Sequence, residues 1–203
     1  MATPSANIHS TADVAITASV PPSTKIWHYA QVREDTVIGE NCIIGRGVYI
    51  GNGVELGDNC KVQNYALIYE PAKLANGVFI GPAVVFTNDQ FPRAVNTDGT
   101  LKSGADWEAV GVTVNEGASV GARSVCIAPV VIGRWALVGA GSTVVKDVPD
   151  FALVVGTPAR RIGWVGKAGH PLTNTSGDVW TCPVTATRYR QTGPDELIEM
   201  ENS

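Results

Sequence analysis

Carboxylates and amides recur at one spacing in this chain, and they are the side chains best placed to do chemistry. Glu34, Asn52, Glu70 and Asn88 stand at a constant spacing of 18, and Asp89 follows the last of them. Such a column can orient a polar acceptor and take a proton from it. The imidazoles form no comparable set. His9, His28 and His170 are the whole complement, and His9 and His28 are 19 apart, one off the spacing. Zinc needs imidazoles that converge at tetrahedral geometry, so no metal site is expected. Cys42, Cys60, Cys126 and Cys182 show no CxxC pair and no zinc spacing. Cys42 and Cys60, 18 apart, are expected as a buried, reduced pair.

A spacing of 18 requires a backbone that returns to the same place at that interval. From Ile26 to Phe86 every sixth residue is apolar: Ile26, Val32, Ile38, Ile44, Ile50, Leu56, Val62, Ile68, Leu74, Ile80, Phe86. Val20, Val14 and Ile8 extend the series backwards. The fourth residue after each anchor is small or short, from Ala30 and Thr36 to Val78 and Val84, and glycine often follows the anchor directly. A helix repeats near 3.6 and a strand at 2, so a sustained period of six fits neither. It predicts an all-β chain wound as a parallel β-helix of triangular section. Three hexapeptides make a coil, the anchors point inward, glycine relieves the corners, and coils stack about 4.8 Å apart.

The rhythm stops at Phe86 and resumes at Val114, continuing through Val120, Cys126, Ile132, Val138 and Val144. The intervening loop, 87–113, is long enough that a role at a site is expected. The coil is expected to end at Val148-Pro149. Residues 151–166 read as a last strand, a turn at Gly156-Thr157-Pro158 and a short basic segment. The remainder, 167–203, is polar and reads as a small hairpin or a flap over the open end. The division is therefore 1–166 for the β-helix and 167–203 for the tail.

With 203 residues, 44% hydrophobic and 17% charged, the chain is one domain whose stability comes from stacked neighbours. A net charge of −4 gives no basic footprint for nucleic acid or an acidic membrane. Residues 1–10 carry neither a charged leader nor a long apolar run, so a cytoplasmic location without a membrane span is expected.

The [Ile/Leu/Val]-Gly-x-x-[small]-x repeats resemble the left-handed β-helix hexapeptide acyltransferases. The left hand is implied by that resemblance alone and departs from the usual crossover rule. Local strings narrow the likeness: Ile26-Trp27-His28 before Val32-Arg33-Glu34, Lys61-Val62-Gln63-Asn64, Tyr69-Glu70, Phe79-Ile80-Gly81-Pro82, Phe86-Thr87-Asn88, and Val155-Gly156-Thr157-Pro158-Ala159-Arg160. Together, over about residues 8–166, they resemble bacterial nucleotide-sugar N-acetyltransferases. Those enzymes acetylate the 3-amino group of a UDP-linked aminoglucuronate or a dTDP-linked aminodeoxyhexose, in surface polysaccharide synthesis. The resemblance implies acetyl-CoA as co-substrate and a homotrimer with sites shared between subunits.

Carried onto this chain, the resemblance assigns Asn88 to orienting the amine, with Asp89 or Glu70 holding the amino group or accepting its proton. Gln63, Asn64, Tyr69 and Arg93 become candidates for nucleotide and pyrophosphate contacts. His28, sharing an edge with Arg46 and Asn64, is a further substrate contact or an ordinary surface histidine. Ala128, Gly139, Ala140 and Gly141 match positions along the pantetheine arm. Lys146, Arg160 and Arg161 are available for CoA phosphates, or form a solvated basic surface. A solvated corner equally explains Glu34 and Asn52.

Acyl transfer needs an unprotonated nucleophile, alignment with the thioester and a donor for the oxyanion. No histidine falls within 87–113. An alcohol needs such a base far more than an amine does, so N-acetylation is favoured over O-acetylation. Two other classes share the prism: a γ-type carbonic anhydrase, disfavoured by the scattered histidines, and a non-catalytic trimeric scaffold, which acetyl-CoA binding would exclude.

Overall fold

The structure is a computed structural model that describes residues 7–200. The outermost parts of both sequence-defined ranges, 1–6 and 201–203, lie outside the described residues, and so does most of the opening segment read above for a leader. Two-residue strands at each hexapeptide stack into three parallel sheets. One carries Ile26, Ile44, Val62, Ile80, Val120, Val138 and Val154; the second carries Val14, Val32, Ile50, Ile68, Phe86, Cys126 and Val144. The third, shorter sheet carries Ile38, Leu56, Leu74, Val114 and Ile132. The chain is a left-handed parallel β-helix.

Anchors and fourth-position residues fill the prism together. Ile44, Ile50, Ile68, Ile80 and Phe86 are fully buried, as are Ala30, Ala66, Ala72 and Val84. Polar residues at the fourth position are buried too; Ser142 Oγ accepts the Gly156 N–H at 3.1 Å, and the other three donate to a carbonyl one coil ahead. Thr24 Oγ1 donates to Gly39 O at 2.8 Å, Thr36 Oγ1 to Gly51 O at 3.0 Å and Ser124 Oγ to Gly139 O at 3.1 Å. Cys42 and Cys60 take the same place, their thiols on Gly57 O and Ala75 O. All four cysteines are free, and burial pushes the Cys126 thiol up to about 12.

Corners are made differently from the sequence expectation. The residue that turns left-handed is the third after the anchor. Glycine does so at Gly47, Gly53, Gly77, Gly117 and Gly141, with φ between 63° and 72°. Tyr29, Asp35, Asn41, Asn59, Tyr65 and Arg123 do so as well, with φ between 56° and 62°. The glycine directly after the anchor serves another purpose: it leaves room beneath the next coil. A Cβ on Gly81 would come within 2.6 Å of Ala122 N. Backbone cannot yield as a flexible side chain does, so Gly81→Ala is expected to destabilise the fold by about 1–3 kcal/mol. Chemical denaturation checks this; an unchanged midpoint would mean the coils separate freely there.

The arm leaves and re-enters without disturbing the stack. Leu74 pairs with Val114 and Phe86 with Cys126, in each case at a sequence separation of 40 where 18 is the rule. The whole excess is looped out between two rungs, and the rungs on either side stay in register.

Stacking continues beyond Pro149. Ala152–Gly156 joins the first sheet with Val138 opposite Val154, a separation shortened from 18 to 16. The basic segment expected after the turn is itself a strand, Ala159–Trp164, antiparallel to Ala152–Gly156. The tail forms a four-stranded antiparallel sheet of Thr173–Ser176, Val179–Thr181, Arg188–Gly193 and Glu196–Glu199. Its buried side chains, Leu172, Cys182, Tyr189 and Leu197, share one apolar cluster with the prism and Trp164. Tyr189 packs on Phe151 with ring centroids 5.4 Å apart, and Trp164 Nε1 donates to Gln191 Oε1 at 3.3 Å.

Candidate active site

The corner that follows the second sheet carries the column found at spacing 18. Glu34 is exposed and paired with Arg33 at 2.8 Å; Asn52 is exposed. Glu70 and Asn88 occupy the next two rungs, where the arm begins. The Asn88 carbonyl accepts the Val110 N–H at 3.0 Å, which ties the two ends of the arm together. Asp89 Oδ1 accepts the Phe91 N–H at 2.8 Å, so part of its carboxylate shapes the first turn of the arm. Beyond that turn Val95 and Leu101 bridge in a short exposed hairpin. Arg93 lies in this exposed part and donates to Pro92 O at 2.7 Å.

Glu70 differs from its counterparts on other corners. Asp58, Asn64 and Asn76 each lie over a glycine of the coil below, Gly39, Gly45 and Gly57 respectively. Each accepts one backbone N–H, from Glu40, Arg46 and Asp58, at 2.8–2.9 Å. Glu70 lies over Gly51, where a Cβ would be 2.0 Å from Oε2. One methylene longer, it makes no such bond. Among the described residues Oε2 is the only buried carboxylate oxygen without a hydrogen-bond partner. Tyr69 packs on Tyr49, ring centroids 5.1 Å apart. Burial, then the nearby Glu70 charge, pushes the Tyr49 phenol above its ordinary value. Tyr49 and Gly51 were not singled out from the sequence, although Gly51 precedes Glu70 by the same interval as Gly39 precedes Asp58.

The other substrate candidates sit elsewhere. His28, Arg46 and Asn64 share the corner after the first sheet: Gly47 N–H bonds His28 O and Tyr65 N–H bonds Arg46 O. With Trp27, Ile43 and Gln63 they line a hollow of about 320 Å³. Tyr69, Glu70, Asn88 and Asp89 are one corner away, so a single prism does not unite the two groups. The histidine spacing also misleads. His9 and His28 stack with ring centroids 3.4 Å apart, because one follows its anchor directly and the other sits at the corner. Among the described residues, no three His, Cys, Asp or Glu side chains group to hold a metal.

The acyl-donor candidates divide similarly. Ala128 is on the arm's own corner, next after Asn88, buried, with its N–H on Thr87 Oγ1 at 3.0 Å. Gly139, Ala140 and Gly141 lie on the first corner, Gly139 beneath Val155 and the other two exposed. Lys146, Arg160 and Arg161 do come together around a hollow of about 320 Å³ that Asp147 and Asp195 also line. Arg161 is committed to the tail. It donates to Pro194 O at 2.6 Å, pairs with Asp195 at 3.2 Å and stacks on Trp164 at 4.3 Å. Arg160 donates to its neighbour Ala159 O.

A parallel prism with an arm let into one coil and a capped end defines a hexapeptide-repeat solenoid. Residues 17–52 match the family model for the bacterial transferase hexapeptide, and residues 111–146 that for the hexapeptide repeat of succinyl-transferase. Two stretches of the chain therefore carry hexapeptide repeats similar to those of these transferase families. It is 56% identical over 52 residues to a dTDP-3-amino-3,6-dideoxy-α-D-galactopyranose 3-N-acetyltransferase of Aneurinibacillus thermoaerophilus, covering 26% of this chain and 27% of that one. The chain spans about a quarter of the length of the curated relatives it matches first. A putative acetyltransferase of Bacillus cereus shares the fold at 22% identity and TM-score 0.54, over 76% of this chain and 78% of that one. A hexapeptide-repeat acetyltransferase of Vibrio cholerae, solved with acetyl coenzyme A, does so at 21% and 0.55, over 64% and 70%. Among the described residues no helix is long and apolar enough to cross a membrane.

Proposed function

We propose that the protein transfers an acetyl group from acetyl-CoA to the 3-amino group of a UDP- or dTDP-linked amino sugar. The observation that carries this reading is the 56% identity with the dTDP-amino-sugar 3-N-acetyltransferase over 52 residues. The arm root supports it with an amide and two carboxylates, Asn88, Asp89 and Glu70, and with no imidazole between positions 87 and 113. In this scheme Asn88 orients the amine and Glu70 takes its proton. The neutral nitrogen attacks the thioester carbonyl, the C–S bond breaks, and the CoA thiolate leaves and is protonated. A backbone N–H bears the oxyanion. Lys146 and Arg160 meet the CoA phosphates; Arg161, held by the tail, shapes the hollow around them. A homotrimer fits the division of candidates between two corners, since the corner of one prism then faces a different corner of its neighbour.

The test is release of free CoA from acetyl-CoA with a panel of UDP- and dTDP-linked 3-amino sugars, against unlinked sugars and serine. Turnover with one nucleotide-linked amine is expected. Turnover with an alcohol alone would overturn the amine reading, and failure to bind acetyl-CoA would leave a scaffold.

A further inference from the structure

We infer that Asp195, at the tip of the tail's last hairpin, is a built-in counter-ion that holds the place of a phosphate in the hollow of Lys146, Arg160 and Arg161. An incoming phosphomonoester displaces it, so the tail sets how readily that hollow accepts its ligand and which anions succeed. The inference rests on the N-acetyltransfer reading only for the source of the phosphate, the 3′-phosphate of CoA.

The hollow, about 320 Å³, is lined by these three cations and by two carboxylates, Asp147 and Asp195. The two acids are held very differently. Asp147 Oδ1 accepts the Val131 N–H at 2.8 Å, which fixes it to the prism. Among the described residues no salt bridge reaches it. Asp195 Oδ1 instead lies 3.2 Å from Arg161 Nη2, on a side chain that is 72% exposed. Gly193 pairs with Glu196, so Pro194 and Asp195 are the two-residue tip of the hairpin. The sheet behind the tip is anchored separately, by buried Tyr189 and Leu197 and by Gln191, which accepts from Trp164. The Asp195 carboxylate can therefore swing away while the tail stays packed.

Charge and geometry both favour the exchange. An ion pair this exposed contributes little, so it is easily given up. A phosphomonoester carries close to two negative charges near neutral pH and offers three acceptor oxygens. Among the described residues Lys146 and Arg160 make no salt bridge, so both can join Arg161 around it. With Asp195 in place the lining has one positive charge in excess; with Asp195 withdrawn it has two, which a dianion neutralises. Arg161 need not move. Its guanidinium stacks on Trp164 at 4.3 Å and donates to Pro194 O at 2.6 Å, and both contacts can persist while phosphate replaces the carboxylate. Acetate or chloride brings no more charge than the group it would displace and gains nothing by the exchange. The counter-ion thus selects a doubly charged anion over singly charged ones.

Two measurements test this. Calorimetry follows CoA and 3′-dephospho-CoA binding to wild type, Asp195→Asn and Asp147→Asn. Asp195→Asn is expected to bind CoA about 3- to 10-fold more tightly than wild type, and dephospho-CoA equally well. Asp147→Asn removes the same charge from the same lining but releases no cation, so its CoA affinity is expected to change by less than about 2-fold. Equal gains in the two variants, or no gain in Asp195→Asn, overturn the counter-ion role. The same gain with dephospho-CoA overturns the choice of the monoester. The second measurement needs no CoA: sodium phosphate against sodium chloride at equal ionic strength, read as melting temperature. The rise is expected to be largest in Asp195→Asn, and an equal rise in all three proteins overturns the inference. If CoA does not bind but phosphate still sets Asp195→Asn apart, the acetyl-transfer reading fails and the role of Asp195 stands.

Discussion

Replacing Asn88 by alanine is expected to slow acetyl transfer by about 100-fold, the scale on which misplacing a reacting group is felt. Affinity for acetyl-CoA and the assembly state are expected to stay as they are. The separation is clean because the arm is closed by the Asn88 carbonyl, which receives the Val110 N–H, and alanine keeps that carbonyl. Steady-state kinetics with the preferred acceptor, beside calorimetric binding of CoA, checks it. Turnover at the wild-type rate would remove Asn88 from the mechanism and leave Glu70 to orient the amine alone.

The largest effect on stability is expected at Phe86. It is fully buried, with Ile68 on one side and Cys126 on the other, and it is the last anchor before the chain leaves the prism. Phe86→Ala is expected to cost about 3–5 kcal/mol, the range for truncating a buried aromatic side chain. The loss falls where the rungs before and after the arm stack on each other, and neighbour coupling is what stabilises a repeat protein. Urea unfolding measures it. A loss under about 1 kcal/mol would show that the coils on either side collapse into the space.

The fold was legible because one residue in six tells the whole story: the anchors, their small companions and the resumption at Val114 define three faces without any knowledge of loops. The same arithmetic assigned Glu70 and Asn88 to one edge and His28, Arg46 and Asn64 to another. It did not assign the position of the corner turn, read as the glycine beside the anchor and made instead two positions later, by Gly47 or Gly53 in some coils and by Tyr29, Asp35 or Asn59 in others. Nor does a period describe how far a side chain leans, which is why His9 and His28 meet despite being one position off. Arg161 illustrates a different limit. Its partners, Pro194 and Asp195, belong to the tail, where nothing repeats and contacts depend on how one sheet lies over the prism's end. Tyr49 was hidden for the opposite reason: it sits at an ordinary outward position, and only the carboxylate beside it makes it unusual.

The in-register return of the arm has an evolutionary meaning. Because Leu74 meets Val114 as though nothing lay between them, the stacking energy of the prism does not depend on what the arm contains. Lengthening an arm costs little, about 0.6 kcal/mol for each doubling. Natural selection can therefore exchange this segment, its length and its side chains alike, as a replaceable tool held in a fixed handle. New acceptor preferences become reachable by small insertions and deletions between Asp89 and Val110, with no compensating change elsewhere in the solenoid.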